Sequence, residues 1–268
     1  MNNLDVLAIA AHRDDVEQTC GGTLLKMAQM DHRTGILDLT QGEMGTRGSA
    51  EERAREAAEA AKILHASWRE ALDIPDGRIE NTWENRLKVA RVIRETRPRV
   101  VILPYWEGRH PDHYTASKLS YEACFLAGLA KLDVARALQS DRAAFSQVAS
   151  AVASVAAGEQ QVSSLNLTAH RPFKIIYATL YHDIRPTFVI DITEQFESRL
   201  ESLMAYKSQF SDQQAGKDIF PARDEIRARV ESIARFYGSF AGVTYAEPFL
   251  QKEVGLVEDV TAIAVKSI

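Results

Sequence analysis

Residues 4–22 read LDVLAIAAHRDDVEQTCGG, and this stretch decides the fold. The apolar run at 4–11 is too short for a typical helix and reads as a strand buried on both faces, as in a parallel sheet. It stops at His12. Arg13, Asp14, Asp15 and Glu17 follow, then the pair Gly21 and Gly22. Carboxylates this close repel one another and resist burial. A divalent cation is the partner such a pattern asks for.

Working outward, GTLLKMAQM at 22–30 has helical apolar spacing, and RTGILDLT at 33–40 reads as a second strand. Together they predict a βαβ unit with a right-handed crossover. A glycine-rich loop, QGEMGTRGS, occupies 41–49. Ser49 with Glu52 three positions on forms a capping box, which predicts an alanine-rich helix over 49–64. IPDGRIEN at 74–81 is turn chemistry. An amphipathic helix over 85–97 stops before Pro98. RVVILPYW at 99–106, counted as the fourth strand, leads through EGRHPDHY into a helix over 115–129. Strands are predicted at 173–183 and 187–193, and helices over 194–210 and 224–240. This alternation predicts an α/β fold, a Rossmann-like doubly wound, mostly parallel sheet with helices on both faces. Residues 140–166 are rich in Ala, Ser, Val and Gln, and read as an insertion outside the core of one domain spanning 1–268.

Composition narrows the function. A chain of 268 residues has ample material for one large α/β domain. Its net charge of −5, with no basic block, argues against nucleic acid as a partner. No apolar run reaches the roughly 18 residues that span a bilayer, and the N-terminus lacks a signal-peptide pattern. A cytoplasmic protein with no membrane partner is the expectation. Two cysteines, Cys20 and Cys124, make neither a disulfide framework nor a cysteine-rich zinc site. Any metal must therefore rest on histidine and carboxylate.

In a doubly wound sheet, function collects beyond the carboxyl ends of the strands. Two clusters sit at such ends, residues 12–15 and residues 109–113. Together they supply His12, Asp15 and His113, a two-histidine, one-carboxylate set. Three protein ligands with one open position is the pattern of a catalytic zinc, although other divalent transition metals suit the same donors. Asp14, adjacent to a ligand, is placed to take a proton from an attacking water. Singly, each residue also has an ordinary reading as a turn residue, a helix cap or a satisfied core histidine.

AHRDDVE at 11–17 resembles the A-H-P-D-D-x-E signature of the LmbE/PIG-L-like family of zinc-dependent N-acetylglucosaminyl deacetylases, and HPDH at 110–113 matches its second motif. The stretches 35–64, 76–119, 185–193 and 205–210 resemble the branch that acts in bacillithiol biosynthesis. The resemblance implies that His12, Asp15 and His113 hold zinc, that Asp14 is the general base, and that a protonated His110, oriented by Asp112, stabilises the oxyanion. It implies a GlcNAc-type sugar as substrate, N-acetylglucosaminyl malate in that branch, and a homo-oligomer, often a hexamer. The alternatives are a related deacetylase or thiol-conjugate amidase with another substrate, and a degenerate, non-catalytic sugar-binding protein.

The departure from the signature is Arg13 where proline is usual. It is either a tolerated loop change or an extra contact for an acidic substrate. Arg47, Arg53 and Arg109 fall on the loops expected to rim the pocket, where an arginine can grip a carboxylate with two parallel bonds. For Arg53 the alternative is a surface pairing with Glu56. Glu17 is expected to support the metal loop through hydrogen bonds.

Overall fold

The computed structural model describes residues 3–138, 167–180, 183–210 and 223–265. The 140–166 segment lies outside the described residues, as do Tyr181 and His182. Strand β1 (Val6–Ala10) is buried along its whole length. Its odd residues, Leu7 and Ile9, enter one core cluster and its even residues, Val6, Ala8 and Ala10, enter another. That two-residue alternation, apolar on both sides, is what a central strand between two helical layers requires.

The chain continues through α1 (Asp15–Thr19), α2 (Gly21–Gln29), β2 (Thr34–Asp38), α3 (Ala50–Ile63), β3 (Trp68–Ala71), α4 (Trp83–Thr96), β4 (Val100–Pro104) and α5 (Pro111–Ala127). Then come β5 (Lys174–Ala178), β6 (Phe188–Asp191), α6 (Phe196–Met204), α7 (Lys207–Phe210), α8 (Arg223–Ala241) and β7 (Ala246–Leu250). Among the described residues the strands form one seven-stranded sheet in the order β3-β2-β1-β4-β5-β7-β6. The first five pair in parallel, and β7 runs antiparallel to both β5 and β6.

Side chains of α1 and α2 pack on one face, with Val16, Leu24 and Leu25 against Ala8, Ala10 and Ile36. Those of α4 and α5 pack on the other, with Leu87, Val92, Leu119 and Ala123 against Leu7, Ile9 and Val101. The winding direction therefore reverses between β1 and β4. The loops leaving these two strands diverge to opposite faces and open a crevice at their carboxyl ends.

The predicted caps form. Ser49 Oγ accepts from Glu52 N–H at 3.1 Å and opens α3. Arg97 takes a left-handed conformation, φ 47°, and ends α4 before Pro98. Two strands have weak sequence signals. β3 is four residues long, sits at the sheet edge and carries Arg69 and Glu70. β7 contains Pro248, which cannot donate to a ladder. Yet β7 carries Glu247, fully buried, whose carboxylate accepts from Gly22 N–H at 2.9 Å and Thr23 N–H at 2.7 Å. Glu247 thus binds the first turn of α2, and Arg199 balances its charge at 3.1 Å. A side chain at Gly22 would collide with Ile192 and Glu247, so the glycine allows this close approach.

Candidate metal centre and active site

The crevice between β1 and β4 brings the two sequence clusters together. His12 leaves the end of β1, and His113 lies in the first turn of α5. His12 Nδ1 and His113 Nε2 are 3.3 Å apart, His113 Nε2 and Asp15 Oδ1 are 3.3 Å apart, and His12 Nδ1 and Asp15 Oδ2 are 3.5 Å apart. Donors about 2.1 Å from a tetrahedral zinc lie about 3.4 Å from one another. The two nitrogens stand at about that spacing, each lies 3.3–3.5 Å from a different Asp15 oxygen, and the three side chains can each offer one donor atom within 4.8 Å of the others.

The far side of His12 explains its tautomer. Nε2 lies 3.1 Å from Asp76 and 3.2 Å from Asp112. A proton on Nε2, shared between these carboxylates, leaves the Nδ1 lone pair facing Asp15 and His113. This carboxylate–histidine arrangement is the usual support of a metal-bound imidazole. Burial opposes charge on His12, but the bonds to Asp112, Asp15 and Asp76 outweigh it and push its pKa up to about 12. Burial likewise opposes charge on His113, and Asp15 overcomes it and raises its pKa. The same two histidines hold Asp15 well below the usual carboxylate range despite its burial. The cluster calls for positive charge at its centre, which either protons or a metal ion can supply.

Asp14 sits at the N-terminus of α1 with φ 105°, a left-handed conformation that a non-glycine residue adopts at a cost. This backbone turn separates its side chain from that of Asp15. Burial, reinforced by Asp15, pushes the Asp14 carboxyl up to about 7, while Arg53 at 3.6 Å pulls it down. His110 caps α5: its Nδ1 accepts from Asp112 N–H at 3.2 Å. Its ring lies 4.8 Å from that of His12 and 4.9 Å from that of His113, centroid to centroid. Burial and these two neighbours hold His110 below its ordinary pKa.

The Asp112 carboxylate accepts from Gly77 N–H at 2.8 Å and Ile79 N–H at 3.1 Å and faces His12, with one oxygen within 4.8 Å of a His110 ring nitrogen. Asp112 orients His110 through its backbone N–H. The His110 Nδ1 is the acceptor in that bond, which leaves Nε2 as the ring nitrogen free of it.

The arginines are placed differently from the sequence reading. Arg13 is buried and donates to the Ala50 carbonyl at 2.7 Å. Arg47 is buried and donates to the Gln209 carbonyl at 2.7 Å. Arg53 donates to the carbonyls of Arg13 at 2.8 Å and Gly42 at 3.2 Å. Gly42, at φ 73°, leaves the room its guanidinium fills. All three spend donors on backbone carbonyls of the segments packed around them. Glu56 pairs with Ser208 and not with Arg53. Arg109 is exposed beside His110. Glu17 accepts from Arg69 at 2.6 Å and from Tyr206 at 3.1 Å, and Arg69 in turn forks onto Asp38. This buried network fastens α1 to the sheet beneath the metal loop.

Asp76 is the participant the sequence reading passed over. It lies in a stretch read as a turn, and its other oxygen accepts from Met44 N–H at 3.0 Å. Its signal was positional, an aspartate directly beyond a strand whose existence the sequence did not declare.

Residues 7–124 match the family model described as PIG-L, GlcNAc-PI de-N-acetylase. The chain is 29% identical over 253 residues to a diacetylchitobiose deacetylase of Thermococcus kodakarensis, spanning 90% of this chain and 80% of that protein. Its fold is similar to the crystal structure of the conserved protein TT1542 from Thermus thermophilus. There the TM-score is 0.75 and the identity 35%, over 95% of this chain and 98% of that one. It is also similar to N,N'-diacetylchitobiose deacetylase from Pyrococcus horikoshii in complex with an inhibitor. That match has a TM-score of 0.71 and 25% identity, over 91% of this chain and 82% of that one. Sequence motifs, fold and relatives agree, and the chain belongs to the PIG-L/LmbE family of deacetylases.

Proposed function

We propose that this protein is a zinc-dependent hydrolase that removes the acetyl group from a GlcNAc-type glycoside, with N-acetylglucosaminyl malate as its substrate. The observation that carries the reading is the convergence of His12, Asp15 and His113, whose nearest donor-atom pairs are 3.3–3.5 Å apart, with the Asp14 carboxyl beside them. These residues fit a divalent ion in number, chemistry and spacing. A bound zinc supplies Lewis acidity and brings the pKa of water to roughly 7.

The chain's own groups supply the remainder. Asp14, with its pKa near 7, takes a proton from the water that adds to the amide carbon. His110 presents an Nε2–H donor to the oxygen on which charge develops. The C–N bond then breaks, and Asp14 returns the proton to the departing amine. Acetate and a free amino sugar result.

For the malate group, Arg109 is the exposed one of the four named arginines, next in the chain to His110. The engagement of Arg13, Arg47 and Arg53 with backbone carbonyls favours a second reading, a neutral aglycone such as a further GlcNAc, as the relatives' names suggest. The test is metal analysis of the purified protein together with acetate release from N-acetylglucosaminyl malate, N,N'-diacetylchitobiose and GlcNAc at fixed ionic strength. Stoichiometric metal with preference for the malate glycoside supports the first reading. Equal or better turnover of diacetylchitobiose replaces it with the second. Sugar binding without acetate release from any of them identifies a non-catalytic protein.

A further inference from the structure

The loop from β4 to α5 carries Arg109 and His110, and both are exposed. Its two ends are tied down. Tyr105 N–H donates to the Ala178 carbonyl at 2.8 Å, and His113 N–H donates to the His110 carbonyl at 3.1 Å. Between these bonds lies Gly108, which has no side chain to pack. Trp106 does pack: it is half-buried against the core cluster that α4 and α5 cover. Its ring lies 4.5 Å from that of Tyr105 and meets that of Tyr177 edge-on at 4.8 Å, centroid to centroid. Aromatic pairs favour such separations.

Lys252 joins this cluster from the chain beyond β7. Its Nζ stands 4.3 Å from the ring centre of Tyr121, 5.1 Å from that of Tyr177 and 5.2 Å from that of Trp106. All three lie within the roughly 6 Å over which a cation is attracted to a ring face. The residue itself is exposed, and a lysine can lay its stem on apolar surface while its ammonium keeps water. The backbone that bears it is held on both sides. Gln251 N–H donates to Thr187 Oγ1 at 3.0 Å, and Glu253 pairs with Lys174 at 2.7 Å. Tyr121 belongs to α5, the helix that begins beside His110, and Tyr177 belongs to β5. One ammonium thus ties the loop, the helix and the sheet to the chain that follows β7.

We infer that Trp106 is a positioning residue for the deacetylation and that Lys252 is its clasp, the two together holding the loop so that His110 faces the acyl oxygen. The inference rests on the deacetylase reading and adds the support of one of its groups. Trp106 precedes His110 by four positions. Released from its ring partners, it lets the loop shift, and a misplacement of 1 Å at a reacting centre can cost about 100-fold. The donor on His110 matters most where charge develops on the oxygen, in the transition state. Loosening the clasp therefore lowers kcat and leaves KM near native.

The test uses the full-length, zinc-loaded protein and the variants Lys252→Met, Lys252→Arg and Trp106→Ala. Hydrogen exchange over residues 105–110 reads the order of the loop. Acetate release from the N-acetyl glycoside that the native protein cleaves best, normalised to bound zinc, reads catalysis. In Lys252→Met, loop exchange should quicken by about two- to fivefold, the equivalent of one exposed cation–π contact, and kcat should fall while KM and zinc affinity stay near native. Lys252→Arg keeps a cation over the rings and should restore both. Trp106→Ala should lower kcat by up to about 100-fold. That variant empties core space and risks the fold, so the substitutions at exposed Lys252 decide the matter. Unchanged loop exchange or unchanged kcat in Lys252→Met, or a kcat loss that Lys252→Arg fails to restore, overturns the inference while leaving the deacetylase intact. A native protein that cleaves no N-acetyl glycoside overturns the deacetylase reading and this inference with it.

Discussion

Removing the Asp76 carboxylate tests the idea that His12 is made a metal ligand by what lies behind it. His12 Nε2 has two carboxylate partners, Asp76 at 3.1 Å and Asp112 at 3.2 Å. Loss of such a supporting group commonly weakens metal affinity by about 10- to 100-fold. In Asp76→Ala, Asp112 still accepts from Nε2, so the loss should fall at the lower end, about tenfold or 1.4 kcal/mol. The Met44 N–H that loses its acceptor in this variant is exposed and can turn to water, so the fold should hold. Asp112→Ala differs. It also strands Gly77 N–H and the buried Ile79 N–H, and each unsatisfied buried group costs about 1–3 kcal/mol of stability. Because each carboxylate covers for the other, Asp76→Ala with Asp112→Asn should lose more affinity than the two single changes combined. Zinc dissociation constants from chelator competition measure the first effect, and denaturant unfolding measures the second. If the double variant binds zinc within about twofold of the native protein, the support assigned to these carboxylates is refuted.

Asp14→Asn should keep stoichiometric zinc and lose turnover by about 100-fold or more, since an amide cannot accept the proton; near-native turnover removes Asp14 as the base. His113→Ala should abolish stoichiometric zinc under dialysis, because it removes one of the three donor side chains; retained metal would mean that the ion sits elsewhere. In the metal-free protein the surrounding carboxylates raise the pKa of both His12 and His113. Both must be neutral to bind, so zinc uptake should release protons and weaken as pH falls. Identical calorimetric heats in buffers of differing ionisation enthalpy would contradict this. Glu247→Ala should destabilise the protein by about 3–5 kcal/mol, since it leaves the Arg199 charge buried without its partner and strands the first turn of α2; a smaller loss in urea unfolding would show that the pair is relieved by water.

Residues 4–22 carry their own structural instruction. An apolar run of eight, a break at His12 and helical spacing after Gly21 are local signals, and locality is what sequence periodicity records. The same holds for the Ser49 cap and the stop before Pro98. The metal residues were legible because two short motifs fall directly beyond strands of the same parallel sheet, and parallel strands end at one edge. β3 and β7 were not legible. Their residues are stabilised by distant partners, Arg69 by Asp38 and Glu17, and Glu247 by α2 and Arg199, so neither strand shows an apolar pattern. Asp76 was hidden for the same reason, since its role depends on β3 delivering its turn to His12. The arginines mark the limit most plainly. Sequence shows their charge and their loops, but a guanidinium has five donors, and only the folded chain decides whether those meet a substrate or the backbone carbonyls nearest to them.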